Sequence, residues 1–454
     1  MPKRYCIVGS GVAGASAAEQ LRRLDADAEI KLINGESHSF YRRLSLASYL
    51  QKQTDLAALI VRKPEDFAEA KIELVQDFVN RVDSDQNKLH LASGQELDYD
   101  SLLIATGGGA IAPRLPGINL DGVRVGFWDL EDTLWYESRA VAGQPAVVIG
   151  GGVLGLELAD CLQHLGMKVT IVQLGQTLGE PLTDAVSGEI LGARVKEKGA
   201  DYRLGVSAEA ILGDDQGRVR AVVTSTGEEI PATLVGMCIG IRPNVKWLEG
   251  SGVILEQGCI RVNEYLQTNI ANIYGAGDCT IIRPIDAHLH TSNMVGYRAN
   301  RTWQVATNQG LCAANNMFSN HSDAANQGEH RPYDEGMFYN AGVLYDLPYT
   351  MLGLFNPDPK DTNYQTYIYD TAGDPFAYFK LTVAAGRLVG AMLIGKQRRT
   401  NILRRIMEGH YIVTGHEHEL MDPKFKPNDL PVAPLNDRAG DADVEAKLAM
   451  YAGV

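Results

Sequence analysis

Along this chain, short apolar runs alternate with amphipathic stretches, and glycine turns stand between them. Residues 5–8 predict a buried strand, residues 13–24 a helix rich in small apolar positions, and EIKLIN, ending at Asn34, a second strand. The same order returns later. VVI at 147–149 predicts a strand, a glycine turn follows, LGLELA opens a helix, and KVTIVQ ends the next strand at Gln173. Strand and helix in alternation predict parallel α/β units. Between the two units, DLAALIVRKPEDFAEA has helical spacing. IELVQDFVNRVD, KLHLAS and the turn SGQ predict one small meander, and LDYDSLLIATGG a further strand. PRLPG reads as a stiff crossover, after which the second unit begins near Gly122. Strands around YRLGV, RVRAVVTS and ATLVGMCIG close it. Downstream come the helix TWQVATNQGLCAANNM, the polar linker SNHSDAANQGEHR and strands in TYIYDTAGDPFAYFKLTV and RLVGAMLIG. NILRRIMEGHYIV predicts the last long helix, and DRAGDADVEAKLAMYAGV one short helix.

Both unit openings carry chemistry. Gly9, Gly11 and Gly14, and again Gly150, Gly152 and Gly155, stand in GxGxxG spacing between a strand and a helix. Glycines there permit a tight turn and let backbone N–H groups approach a pyrophosphate, which the positive helix end attracts. One such turn is weak evidence; two in the same context predict two bound dinucleotides. A ribose-binding unit also wants a carboxylate just past its second strand, and Glu36 lies two residues after Asn34.

In HSFYRRLSLASYL, Tyr41, Arg43 and Leu46 make the pattern specific. Here the chain resembles the FAD-dependent pyridine nucleotide oxidoreductases, and within them the rubredoxin, ferredoxin and nitrite reductase branch. The resemblance covers about residues 1–415. It implies an α/β fold with two Rossmann-like domains of the glutathione-reductase type, the second inserted in the first. It also implies an α+β C-terminal domain with a dimer or partner contact role. The expected domains are 1–112 with 241–328 for FAD, 113–240 for NAD(P)H, 329–415 for the interface, and a tail at 416–454. Toward FAD, the resemblance places Arg43 near the pyrophosphate and the Val79 backbone at adenine. It places the turn Ala105–Thr106–Gly107 near the diphosphate, Asp278 of YGAGDC at the ribityl hydroxyls, and Gln309 with Gly310 on a helix facing the flavin pyrimidine. Toward NAD(P)H, it places Glu157 near the nicotinamide, with Gly240, Pro243 and Asn244 forming the GxxPN turn. Gln173 stands where an NAD-selective unit has an acid and an NADP-selective unit an arginine nearby; no lysine or arginine follows until Arg194, which favours NADH without excluding NADPH.

Composition narrows the partners. The 454 residues are 45% hydrophobic and 22% charged, as in soluble multidomain proteins, with no run near the ~20 apolar residues of a membrane span. MPKRYCIVGSG passes straight into a strand and lacks a signal-peptide pattern, so a cytoplasmic location is expected. A formal charge of −14 disfavours nucleic acid. The six cysteines show no CxxC spacing, and none falls between Cys6 and Cys161, where disulfide-using relatives carry a redox thiol. No iron–sulfur, zinc or dithiol site is expected; the pairs His288/His290 and His416/His418 read as unliganded. Arg398, Arg399, Arg404 and Arg405 form a basic cluster, read either as a docking patch for an acidic iron–sulfur partner or as a solvated helix. The tail reads as an arm for a partner subunit or an untethered end, and the chain as a possible homodimer or hetero-oligomer subunit.

The expected activity follows the resemblance. A nicotinamide passes a hydride to FAD, and electrons leave singly for rubredoxin, ferredoxin or the iron–sulfur subunit of a larger complex, with no side-chain nucleophile required. Two alternatives stay open: an NADH oxidase using oxygen directly, and a flavin-bearing redox-sensing or binding protein.

Overall fold

The computed structural model describes residues 2–283, 301–320, 330–334, 336–369, 371, 373–395, 399–409 and 411–432. His288, His290 and Arg398, named above, lie outside the described residues. The chain divides into two compact units: one holds residues 1–109 and the return segment that begins at Ile241, the other Ala110–Gly240 and the chain from Gly336 onward.

The first unit opens with β1 (Arg4–Val8), α1 (Val12–Leu24) and β2 (Glu29–Asn34). β3 (Ile72–Gln76) and β4 (Ser101–Ile104) flank this core, and Ile273–Gly275 adds an edge beyond β4. The order across this parallel sheet is Ile273–Gly275, β4, β1, β2, β3. β4 is buried throughout, as expected of a parallel strand covered on both faces.

Two expectations need correction here. IELVQ does not belong to the meander; it is β3 and pairs in parallel with β2. The meander is Val79–Asp83, Lys88–Leu91 and Glu96–Asp98. The segment with helical spacing is not one helix but two short ones, Leu56–Leu59 and Pro64–Glu69. Pro64 disfavours helical backbone at the residue before it and starts the second helix instead.

In the second unit, β5 (Val123–Val125) and α2 (Leu130–Arg139) precede β6 (Pro145–Ile149), α3 (Val153–His164) and β7 (Lys168–Gln173). α4 (Ala185–Glu197), β8 (Asp201–Leu204) and β9 (Leu234–Met237) follow, and the parallel sheet runs β8-β7-β6-β9-β5. A three-stranded antiparallel sheet, Ala208–Gly213, Val219–Thr224 and Glu229–Pro231, covers part of its core.

After the return, α5 (Trp303–Ser319) packs on α1 in the first unit. A Cβ on Gly310 would stand 2.2 Å from the Ala13 carbonyl oxygen, so only glycine allows this approach.

The C-terminal part joins the second unit. Its antiparallel sheet, β10 (Tyr339–Leu344), β11 (Leu347–Gly353), β12 (Gln365–Tyr369), β13 (Tyr378–Ala384) and β14 (Arg387–Ile394), runs in the order β10-β11-β14-β13-β12. α6 (Thr400–Glu408) buries Leu403 and Ile406 against it and ends at Gly409, short of the longer helix the spacing predicts. The tail as far as Val432 does not reach outward, because Leu420 and Leu430 are buried in this same core.

Candidate functional site

The two glycine turns share one geometry. At the first, a Cβ on Gly9 would stand 2.3 Å from the Ala105 carbonyl oxygen, and one on Gly14 would stand 1.9 Å from the Gly9 carbonyl oxygen. At the second, Gly150 meets the Cys238 carbonyl oxygen at 2.3 Å and Gly155 meets that of Gly150 at 1.8 Å. The middle glycines differ from their neighbours. Among the described residues nothing lies within 4 Å of a Cβ on Gly11, and a Cβ on Gly152 would meet only the Glu180 carbonyl oxygen, at 3.4 Å. The outer glycines are thus needed by the fold, and the middle ones face free space over a helix end.

Those helix ends are left open. α1 starts at Gly11 and α3 at Gly152, with no side-chain cap and no acid in the first turn. α2 and α4 in the same chain carry complete capping boxes built on Asp129 and Asp184. Uncapped N–H groups and a positive helix end, left without a competing carboxylate, suit an anionic diphosphate.

Around the first turn, Asn34 is the organiser. Buried at the end of β2, it accepts from Ser10 Oγ at 2.7 Å and from the Glu36 N–H at 3.2 Å. Its amide donates to the His38 carbonyl and to Gln76 Oε1, both at 3.0 Å. The first glycine turn and the Glu36 segment are therefore set by one side chain. Glu36 accepts from Tyr41 Oη at 2.6 Å and pairs with Arg43 at 2.5 Å. This ties the Tyr41–Arg43 segment to the end of β2. Val79 begins the meander beside Phe78, whose ring covers Gly35 at 2.6 Å from the Cβ position.

The turn Ala105–Thr106–Gly107 is held from within the same unit. Thr106 Oγ1 donates to the Asn244 carbonyl at 2.8 Å, the Asn244 amide returns a bond to the Thr106 carbonyl at 3.2 Å, and the Asn244 N–H donates to the Gly107 carbonyl at 3.0 Å. Asn244 thus anchors this turn. Gln309 is buried, and its Oε1 accepts from the Gly277 N–H at 2.7 Å, fixing the turn that presents Asp278. Burial raises the Asp278 carboxyl pKa, and Arg301 and Arg43 oppose that rise.

At the second turn, Gln173 Oε1 accepts from the Gly151 N–H at 2.8 Å. Glu157 is half-buried on α3; burial, aided by Asp160, pushes its carboxyl up to about 7. Gly240 has φ +125°, and its carbonyl accepts from the Ile111 N–H at 3.1 Å.

All six cysteines are free thiols; burial raises Cys6 to about 12 and Cys279 and Cys312 to about 11. His416 pairs with Glu419 and His418 meets the Tyr367 ring edge. Among the described residues no group of three or more His, Cys, Asp or Glu is placed to hold a metal, and no helix is long and apolar enough to cross a membrane. The arginine cluster needs correction. Arg399 is 3% exposed, and its guanidinium donates to the carbonyls of Asp422 and Phe425, so it holds the tail instead of facing a partner. Arg404 pairs with Glu408 and Arg405 bonds Asn428, both on the surface.

Sequence reasoning missed Asn34, Gln76 and Arg301. Only Asn34, a polar residue closing an apolar strand, carried a local signal.

Two parallel sheets, each carrying the same glycine turn before an uncapped helix, define a double Rossmann-like α/β fold. Residues 3–310 match the family described as Pyridine nucleotide-disulphide oxidoreductase, and the chain belongs to it. It is 34% identical over 285 residues to the nitrite reductase [NAD(P)H] of Bacillus subtilis (strain 168), covering 62% of this chain and 35% of that protein. The chain thus spans about a third of that relative's length. It is 30% identical over 339 residues to the ferredoxin–NAD(+) reductase component of the p-cumate 2,3-dioxygenase system of Pseudomonas putida, covering 74% of this chain and 78% of that one. The crystal structure of a ferredoxin reductase from Rhodopseudomonas palustris superposes with a TM-score of 0.75 at 27% identity, covering 86% of this chain and 91% of the other.

Proposed function

We propose that this chain is an NAD(P)H-dependent FAD oxidoreductase that moves electrons between a nicotinamide and a one-electron iron–sulfur acceptor. The single observation that carries this is the doubled, uncapped glycine turn in a chain with no paired cysteines. The similar ferredoxin–NAD(+) reductase component of Pseudomonas putida supports the choice of acceptor class.

The residues fit FAD in the first unit. Space over Gly11 that no described residue fills suits a diphosphate, Glu36 just past β2 is the carboxylate we assign to the adenosine ribose, and Asp278 feels the charges of Arg301 and Arg43. Bound FAD supplies the hydride acceptance and the one-electron release. The protein's part is to bind, orient and tune. α1 and α3 offer N–H donors, Asn34 and Gln309 fix the turns, and Gln173 holds the second turn. A Glu157 carboxyl that titrates near neutrality gives the nicotinamide side a group able to hold or release a proton. The family's disulfide chemistry has no support: all six cysteines are unpaired, and burial raises the Cys6, Cys279 and Cys312 thiols. Arg404 and Arg405 are the exposed arginines left to test as a docking site.

The test is anaerobic reduction of the FAD-loaded protein with NADH or NADPH, followed by addition of rubredoxin or ferredoxin. Bleaching of the flavin band by one nucleotide and reoxidation by the carrier is the expected result. No bleaching with either nucleotide refutes the dehydrogenase reading. Fast steady oxygen consumption without a carrier would favour an oxidase.

A further inference from the structure

Among the described residues Arg301, in the first unit, forms no ion pair; its charge acts on Asp278 without direct contact. Arg301 immediately precedes Thr302, the N-cap of α5. Among the described residues its buried Nε has no hydrogen-bond partner. Among them its Nη2 donates only to the Cys259 thiol, at 3.5 Å, and a thiol is a weak, neutral acceptor. A buried guanidinium nitrogen without a partner is costly, so such an atom points to a ligand.

The sheet order says which part of the ligand. A dinucleotide on this turn lies across the carboxyl ends of the strands, with its diphosphate at the start of α1. Glu36 and Asn34, past β2, mark the adenosine side. The other half must run the opposite way, over β4 and the strand Ile273–Gly275, where the turn to Asp278 begins. Gly277 sits between Ala13 of α1 and Ala306 of α5, at 3.3 and 3.8 Å from its Cβ position. The contact of Arg301 with Cys259, whose strand pairs with Thr280–Ile282 just after Asp278, brings the start of α5 to this same end. Arg301 therefore stands on the isoalloxazine side, where its charge adds to the positive end of α5.

We propose that Arg301 is the positioning cation that stabilises the negative charge the flavin acquires on reduction. This rests on the reading that the first unit binds FAD. Arg43 and the α1 N–H groups serve the diphosphate end, which is already negative in oxidised FAD; Arg301 favours the reduced form selectively.

The experiment compares the FAD-loaded wild type with R301Q and R301K. It measures the dissociation constant of oxidised FAD and the two-electron midpoint potential by equilibration with a reference dye. The expected result for R301Q is oxidised FAD bound within about threefold of wild type, but reduced FAD bound about tenfold more weakly. That ratio lowers the midpoint potential by about 30 mV. R301K, which keeps the charge, recovers most of the loss and guards against a folding defect in R301Q. An unchanged potential in flavin-loaded R301Q overturns the proposal. So does an equal loss for oxidised and reduced FAD, which would assign Arg301 to the diphosphate. A wild-type chain that takes up no FAD overturns the FAD reading itself.

Discussion

Gln173 Oε1 accepts a hydrogen bond from the Gly151 N–H at 2.8 Å, so the side chain at the end of β7 is committed to the glycine turn. Gln173→Ala removes that bond and leaves the turn less fixed, at a cost of about 1 kcal/mol. NADH and NADPH should then weaken together. Gln173→Glu keeps an acceptor for Gly151 and adds a negative charge where the proposed NAD(P)H site would hold the adenosine ribose. It should weaken NADPH about tenfold relative to NADH, because a carboxylate repels the 2′-phosphate. Titration of both nucleotides into both variants checks this.

Glycines of one motif should respond in opposite ways. A methyl on Gly14 or Gly155 meets a carbonyl oxygen at 1.9 or 1.8 Å, so G14A and G155A must displace backbone. Each should cost about 3 kcal/mol or more in folding stability. G11A meets no atom of the described residues within 4 Å and should melt like the wild type without cofactor. With FAD, G11A should lose most of the stabilisation that the wild type gains, since the new methyl would occupy the space proposed for the diphosphate. Thermal melts with and without FAD separate these cases.

What was legible in the sequence is what is local. The two glycine turns announce themselves because strand, turn and helix are contiguous, and each shape is fixed by a few glycines. Long-range partners were hidden. IELVQ reads as a meander strand because its partner, β2, ends 38 residues earlier, at Asn34. The hairpin joining β10 to β11 turns on Tyr345 and Asp346, both at positive φ, with neither glycine nor asparagine to mark it. Arg399 reads as part of a basic cluster, yet it is buried, because carbonyls of Asp422 and Phe425, far along the chain, meet it.

Glu157 makes stability depend on pH. Its folded pKa, about 7, lies above the usual carboxylate value, because burial disfavours the charged form and Asp160 adds repulsion. A raised folded pKa means stability present at low pH and lost as pH rises toward and through 7. Glu157→Gln should melt like the wild type at pH 4 and be more stable by about 1–2 kcal/mol at pH 8, with the partly exposed carboxylate discounted for solvent. If Glu157 serves the nicotinamide, the pH profile of flavin reduction should lose an inflection near 7 in E157Q.

The arginines of the last helix should separate by role. Arg399→Ala strips the Asp422 and Phe425 carbonyls of their donor and should destabilise the protein by about 2–3 kcal/mol. It should leave the salt dependence of carrier reduction unchanged. R404E/R405E, at exposed positions, should leave the melting temperature within a few degrees. If the carrier docks there, the double variant should raise its KM severalfold at low salt, and the effect should shrink as salt screens it. Steady-state carrier reduction at two ionic strengths decides.

Lys380 and Asp184 join the C-terminal sheet to the start of α4. Lys380 is 6% exposed and donates to Asp184 and to Asn356, while Asp184 also accepts from Tyr378 at 3.1 Å and caps α4 through the Ser187 N–H at 2.9 Å. Burial alone would raise the Asp184 carboxyl, but the bonds from Lys380 and Ser187 hold it below its ordinary value. Because the folded pKa is lowered, this stability is present above the unfolded carboxylate pKa, about 4, and is lost as pH falls through the lower folded value. Lys380→Met strands a buried carboxylate and should cost about 3–5 kcal/mol at pH 7. Asp184→Asn keeps the cap but strands the ammonium, with a similar loss. The double variant K380M/D184N strands neither charge, so it should be more stable than either single variant. It should also lose the acid-limb dependence below about pH 4 that the wild type shows. Denaturant melts of all four proteins across pH test both effects; a double variant whose losses simply add would mean the two residues are not coupled.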